Sequence, residues 1–269
     1  MRRIKTDNPR VYGRPPYKVA VLHGGPGAPG SMAPVARRLA ENYGVIEPLQ
    51  TADSVDGQVS ELLWQLRETG DLPMTIVGSS WGAMLGFIFA SRHPETVNKL
   101  IMVGSGMFDA RYSRKLAGQR VSRLTPDERI ELDALVCALR DSKTTGKTRL
   151  FARMGELFTR TDAFDPITLE TETLRCDHHI FNAVWPEVET LREEGTLLKW
   201  GAKVECPVLA IHGDYDPHPY KAVIDPLRIV LRDFRWEILE KCGHLPWIER
   251  QAADRFYEIL AREIVVDSI

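Results

Sequence analysis

The sequence predicts an α/β protein: a mostly parallel sheet with helices on both faces and a helical segment inserted between two of its strands. Three observations predict it. Short apolar runs alternate with amphipathic stretches from the N-terminal third through residue 106, the pattern of strands joined by crossover helices. From Met107 to about Lys203 that alternation stops, and the chain is charged, helical in period and poor in strand signals. It then resumes, with apolar runs at Val208–Ile211 and Phe234–Leu239. The expected organisation is a core built from 1–106 and 204–269, carrying a helical cap over 107–203. A chain of 269 residues is long enough for one such domain with an insertion.

Residues 1–17 are polar and rich in Pro and Arg, with room for one short edge strand. Lys18–Leu22 is a buried strand entering the glycine-rich turn His23-Gly24-Gly25-Pro26-Gly27. Ser31–Asn42 is expected to be helical, with Val35, Ala36, Leu39 and Ala40 as its stripe and Ser31 as N-cap. Val45 and Ile46 begin a short strand. Val59, Leu62, Leu63 and Leu66 recur at helical spacing, so Asp56–Thr69 reads as an amphipathic helix. Met74–Gly78 is a strand, Ala83 to about Arg92 a helix of small residues, and His93-Pro94 stops it. Val97–Val103 is a further buried strand. Within the insertion, Thr125-Pro126-Asp127-Glu128 opens a helix through Leu139. Asp141–Lys147 reads as a loop. Leu150–Phe158 and Leu169–Trp185 are helical candidates, and Pro186 interrupts or ends the latter. A last helix is expected from about Pro246 to Ile264.

Composition bounds the function. The formal net charge of −2 gives no reason to expect nucleic acid or an acidic membrane as partner. No apolar run is long enough to span a bilayer and no signal-peptide pattern appears, so a cytoplasmic protein is expected. The four cysteines are scattered without a C-x-x-C, as expected of reduced thiols. His178-His179 lacks a spaced third ligand, so no metal or other cofactor is expected.

Chemistry is concentrated in turns that follow predicted strands, where open α/β sheets carry their sites. Gly78-Ser79-Ser80-Trp81-Gly82 is a G-x-S-x-G turn between a strand and a helix. His212-Gly213-Asp214-Tyr215-Asp216 follows one later strand and Cys242-Gly243-His244 another. A serine hydroxyl needs a base within reach, an imidazole can take and return its proton, and a carboxylate can hold that imidazole's tautomer. Ser80, His244 and Asp216 fit those roles. Asp214 competes with Asp216, which is favoured because it lies deeper past the strand end. The oxyanion of an acyl-transfer intermediate needs backbone donors, expected from the amides of Trp81 and Gly25. His23 and His212 read as structural, Cys242 as packing, and Trp185 and Trp200 as packing within the insertion.

These motifs, in the chain order Ser, Asp, His, resemble the α/β-hydrolase superfamily over nearly the whole length. H-G-G-P-G at 23–27 followed by G-S-S-W-G at 78–82 is similar to the prolyl iminopeptidase group of serine aminopeptidases. The resemblance implies an α/β-hydrolase fold with a helical cap, and an oxyanion donor at Gly25. It also implies metal-free hydrolysis of a small peptide or amino-acid amide with a free N-terminus. In that group cap carboxylates hold the substrate ammonium, one of them within E-N-H-Y-F. The nearest stretch here is Asp177-His178-His179-Ile180-Phe181, which makes Asp177 the implied anchor. The N-terminal segment is short for the group, implying a reduced first hairpin. A carboxylesterase or C–C hydrolase acting on small acyl substrates is the second reading, and a non-catalytic ligand-binding protein on the same fold a third.

Overall fold

A computed structural model describes residues 8–168 and 176–264. Its centre is a seven-stranded sheet in the order β1-β3-β2-β4-β5-β6-β7. The strands are β1 (Arg10–Tyr12), β2 (Tyr17–Leu22), β3 (Gly44–Glu47), β4 (Met74–Ser79), β5 (Val97–Val103), β6 (Val208–Gly213) and β7 (Phe234–Leu239). Every neighbouring pair is parallel except β1 with β3. The single edge strand expected near the N-terminus is thus the three-residue β1, and no longer hairpin precedes β2 among the described residues.

Side-chain alternation along the strands divides the core into two layers. Val19, Val21, Val77, Ile101, Val103, Leu209 and Ile211 face α1 (Ala33–Leu39) and α10 (Ala253–Glu263). Ala20, Leu22, Ile76, Leu100, Met102 and Val208 face α2 (Val55–Thr69), α3 (Trp81–Arg92) and α9 (Lys221–Val230). Helix α3 is apolar all round because sheet and outer helices enclose it. Within that layer Phe87 meets Phe108 edge-on at 4.9 Å. Burying each such ring contributes roughly 1.5–3 kcal/mol.

Between β5 and β6 the chain forms α4 (Ser113–Ser122), α5 (Pro126–Arg140), α6 (Lys147–Asp162), α7 (His178–Glu193) and α8 (Thr196–Trp200). Thr125 and Glu128 form a reciprocal capping box at the start of α5. Leu124, Leu132, Leu135 and Leu157 make a small core of their own beneath α5 and α6. Ile180, Val184, Val188 and Leu197 of α7 and α8 instead join the layer that includes α3. No helix among the described residues is long and apolar enough to cross a membrane.

Several boundaries differ from expectation, each for a physical reason. Helix α1 starts at Ala33 with Met32 at its N-cap, because the Ser31 hydroxyl instead accepts from the Gly24 N–H at 3.4 Å. Helix α2 starts at Val55, one residue before the expected Asp56, with Ser54 as its N-cap. Helix α6 opens at Lys147, inside the expected loop. Pro186 does not end α7: burial of Val184 and Val188 on either side outweighs the ~3 kcal/mol cost of an internal proline. The first part of the expected 169–185 helix, residues 169–175, lies outside the described residues. The C-terminal helix is split. A 3₁₀ turn at Pro246–Ile248 gives way to extended chain that pairs Glu249 with Pro166, and α10 begins only at Ala253. The sequence pattern does not announce α4, α8 or α9. Pro226 in the middle of α9 obscures its period, although Ala222, Val223, Ile224 and Leu227 are buried.

Candidate active site

Ser80 stands at the junction of β4 and α3 with φ 54° and ψ −113°. A non-glycine residue pays about 1–3 kcal/mol to hold such a conformation. The surroundings enforce it. The Ser80 N–H donates to Val103 O at 2.9 Å, and Ser80 O accepts from Ala83 N at 3.2 Å. A Cβ on Gly78 would run into the Gly82 carbonyl, and a Cβ on Gly82 into the Leu22 carbonyl. Only glycine fits at either position, which is the physical content of the G-x-S-x-G spacing. The Ser80 side chain caps nothing in α3. Its hydroxyl lines a cavity of about 810 Å³ together with Gly24, Gly25, His244 and residues of α6.

His244 follows β7 on a loop built against two neighbours. Its N–H donates to Asp162 O at 2.8 Å, and Gly104 leaves room for its backbone and ring. Its Nδ1 lies 2.7 Å from Asp216 Oδ2. A carboxylate only accepts, so Nδ1 carries the proton and Nε2 is left as the basic nitrogen. Burial opposes charging the ring, but the Asp216 carboxylate outweighs it and raises the His244 pKa above its ordinary 6.5. Asp216 is itself buried, which works against its charge. The His244, His218 and His212 rings around it hold its carboxyl well below the usual carboxylate range. The hydroxyl of Ser80 and the ring of His244 share the cavity wall without a hydrogen bond between them. Such contacts are often loose without substrate.

Asp214 is a different case. Its Oδ1 accepts from the Cys242 N–H at 3.2 Å, tying the two loops together, so of the competing acids Asp216 is the one that meets His244. The N–H groups of Gly25 and Trp81 donate to no other group among the described residues. Gly25 has φ +115°, where a Cβ would lie 2.7 Å from Gly27 N. The Trp81 indole turns inward and donates to Gln58 Oε1 at 2.8 Å, which anchors the start of α3.

Asp177 is placed otherwise than the resemblance implies. Its carboxylate is the N-cap of α7, accepting from His179 N at 2.9 Å and Ile180 N at 3.3 Å, and it is not part of the cavity wall. What it shares with E-N-H-Y-F is thus served by a cap. His23 is structural: Nδ1 donates to Gly24 O and Nε2 accepts from Gln50 N. Burial pushes its pKa down to about 4. Cys242 is buried and its thiol is pushed well up by that burial. His178 packs against Phe151, and Trp200 lies under Arg92 at 4.8 Å.

Two residues near the site escaped the sequence reading. His218 donates from Nδ1 to Asp216 Oδ1 at 2.9 Å; its signal was the D-P-H that begins at Asp216. Glu249 is fully buried and accepts three backbone N–H groups, one of them from Gly243 beside His244. Nothing in an isolated glutamate five residues after a histidine announces that role. Asp216, His218 and His244 form the one cluster of potential metal donors among the described residues, within 4.8 Å of one another. Both Nδ1 atoms already donate to Asp216, and the two rings lie 27° from parallel, so their lone pairs do not converge on one ion.

The comparisons with known proteins bear on the fold and the family. The family described as alpha/beta hydrolase fold matches residues 19–251. The chain belongs to the α/β hydrolase fold family. A proline iminopeptidase of Lactobacillus crispatus (strain ST1) is 27% identical over 283 residues, spanning 94% of this chain and 92% of that protein. Among solved structures, VinJ superposes with a TM-score of 0.65 at 20% identity, covering 94% of this chain and 93% of that one. A proline iminopeptidase of Mycobacterium smegmatis superposes at 0.61 and 20% identity, covering 94% and 92%.

Proposed function

We propose that this α/β hydrolase is a serine hydrolase working through an acyl-enzyme. The observation that carries the reading is the buried 2.7 Å contact of His244 with Asp216 beside the strained, uncommitted Ser80 hydroxyl on one cavity wall. Ser80 Oγ attacks the substrate carbonyl carbon while His244 Nε2 takes its proton. The amides of Gly25 and Trp81 receive the oxyanion. On collapse the bond to the leaving group breaks, and the leaving group takes the proton from His244. Water, deprotonated by the same nitrogen, then attacks the acyl carbon; the bond to Ser80 Oγ breaks, and Oγ takes that proton back from His244. The inserted segment 107–203 acts as a lid, a reading supported by α6 residues such as Thr159 and Asp162 lining the same cavity as Ser80. The cysteines are free thiols, in keeping with a cytoplasmic setting.

Likeness to proline iminopeptidases supports a small peptide or amino-acid amide with a free N-terminus as substrate. A specific observation favours the second reading, an ester or C–C hydrolase. In the cavity wall Asp162 is paired with Arg120 and Glu156 with Arg153; Asp177, outside that wall, caps α7. Among the described residues the cavity thus offers an ammonium group no unengaged carboxylate. Aminoacyl naphthylamides assayed against short p-nitrophenyl esters separate the two. Arylamide turnover that disappears in Ser80→Ala supports the aminopeptidase. Ester turnover alone, lost in the same variant, supports the esterase. Turnover of either class that survives in Ser80→Ala removes the serine mechanism.

A further inference from the structure

Asp216 meets three imidazoles, and two of them, His244 and His218, also stack on each other. His244 takes Oδ2 through Nδ1 at 2.7 Å, while His218 takes Oδ1 twice, through Nδ1 at 2.9 Å and through its backbone N–H at 2.8 Å. The two rings stack at 4.4 Å between centroids and 27° between planes. His218 is not part of the cavity wall, so it meets His244 from behind. Its own position is fixed from several sides. Pro217 and Pro219 flank it and restrict its backbone. Its carbonyl accepts from His212 Nε2 at 2.9 Å, and that same nitrogen lies 3.2 Å from Asp216 Oδ2.

A carboxylate bonded through one oxygen can still turn about its Cβ–Cγ bond; bonded through both, its plane is set. A ring bonded through one nitrogen can still swing about that bond; backed by a parallel ring, it is confined to one plane. We propose that His218 is a positioning residue for His244: it fixes the plane of the Asp216 carboxylate through Oδ1 and backs the His244 ring, so that Nε2 is kept aimed at Ser80. The proposal deepens the serine-hydrolase reading and rests on it for its catalytic consequence. A neutral backing ring suits this role, because a second imidazolium would repel the one formed on His244. Burial supports that state, pushing the His218 pKa down to about 4.

The other titratable or charged groups that act on the two rings are Asp216 and His212 from the β6 end, Asp162 from α6 and Arg120 from α4. Substitutions at His218 leave all of them in place. His218→Asn keeps a side-chain donor near the Nδ1 position and removes the ring. His218→Phe keeps a flat ring and the backbone N–H bond to Oδ1, and removes the side-chain donor. Losing the donor concentrates the Asp216 charge on His244 and shifts its titration to higher pH, by about half a pH unit. Losing the backing ring loosens the aim of Nε2 and lowers kcat roughly tenfold at unchanged KM.

NMR titration of the histidine rings in the wild type and both variants tests the first effect without any substrate. The expected result is an alkaline shift of the His244 midpoint in His218→Phe that His218→Asn restores, with the acid limb of kcat/KM following it. A His244 midpoint identical in wild type and His218→Phe overturns the proposal, as does a kcat for His218→Asn within twofold of wild type. Thermal unfolding of each variant identifies one that has merely lost its fold, and the other then carries the comparison. If the midpoint moves as expected while Ser80→Ala remains fully active, the serine reading fails and the positioning of His244 stands.

Discussion

Glu249 should hold the histidine loop and the end of α6 together, and Glu249→Gln measures how much. Its side chain is fully buried. Oε1 accepts from Phe164 N at 2.7 Å and Gly243 N at 2.8 Å, and Oε2 accepts from Asp165 N at 2.8 Å. The two segments also pair directly, His244 N to Asp162 O at 2.8 Å and Ile167 N to Ile248 O at 2.7 Å. Glutamine has nearly the same shape. Its oxygen can serve the Phe164 and Gly243 amides, but its NH₂ then faces the Asp165 N–H, donor against donor. One buried donor is left unpaired, costing about 1–3 kcal/mol, and two charge-assisted bonds become neutral ones at about 0.5–1 kcal/mol each. The sum is roughly 2–5 kcal/mol, or a Tm lower by about 4–20 °C for a chain of this size. Because Gly243 precedes His244, kcat/KM should fall about 10–100-fold at a temperature where the variant is fully folded. Calorimetry and steady-state kinetics measure both, with the exposed Glu240→Gln as a control expected within ~0.5 kcal/mol of wild type. A Glu249→Gln protein that melts with the wild type and turns over at its rate would refute this account of the loop.

Further expectations follow from the same geometry. For kcat/KM against pH, His244 must be neutral to act as base and its pKa is raised above 6.5, so activity should fall as pH drops through a midpoint above 6.5; a profile flat down to pH 5 contradicts that role. Asp216→Asn should cost about 10⁴-fold in kcat, because an amide in place of the carboxylate no longer fixes the Nδ1–H tautomer; a loss under tenfold, measured with the best substrate found, would remove it from the mechanism. Glu263 is held down to about 2 by its bond to Arg235, opposed by burial and assisted by Lys99 and Arg262. Its contribution to stability is therefore complete above the ordinary glutamate pKa and lost as pH falls toward 2. Glu263→Gln should flatten the decline of denaturant stability between about pH 4.5 and 2, and an unchanged slope there would count against it.

The sheet was legible because buried parallel strands leave apolar runs that few other structures produce. Val19–Leu22, Ile76–Val77, Leu100–Val103 and Val208–Ile211 all lie where the runs placed them. The turn at Ser80 was legible because backbone crowding at Gly78 and Gly82 writes itself into the sequence as glycine. The Ser80, His244 and Gly25 positions converge on one cavity, and Asp216 reaches His244, because each follows a strand at the same edge of the sheet. Part of what escaped depended on contacts distant in sequence, and part on which local use a side chain takes. Asp177 resembled a substrate anchor by its neighbours, yet its carboxylate had a nearer use at the start of α7. Pro186 looked like a terminator because its local cost is visible in sequence and the burial that offsets it is not. Glu249 matters through amides in the insertion, and His218 through Asp216 two residues before it and the His244 ring from the following loop. The split of the last helix follows from the first of these.

In the mechanism proposed for this site the Ser80 hydroxyl is a nucleophile activated by His244. A fluorophosphonate probe reacts with such a serine and leaves a covalent phosphonyl mass on it. Incubated with the folded protein and followed by peptide mass spectrometry, it should modify Ser80, and labelling should vanish in Ser80→Ala and drop sharply in a folded His244→Gln. An unmodified Ser80 in folded wild-type protein, or labelling that persists in Ser80→Ala, would contradict the account.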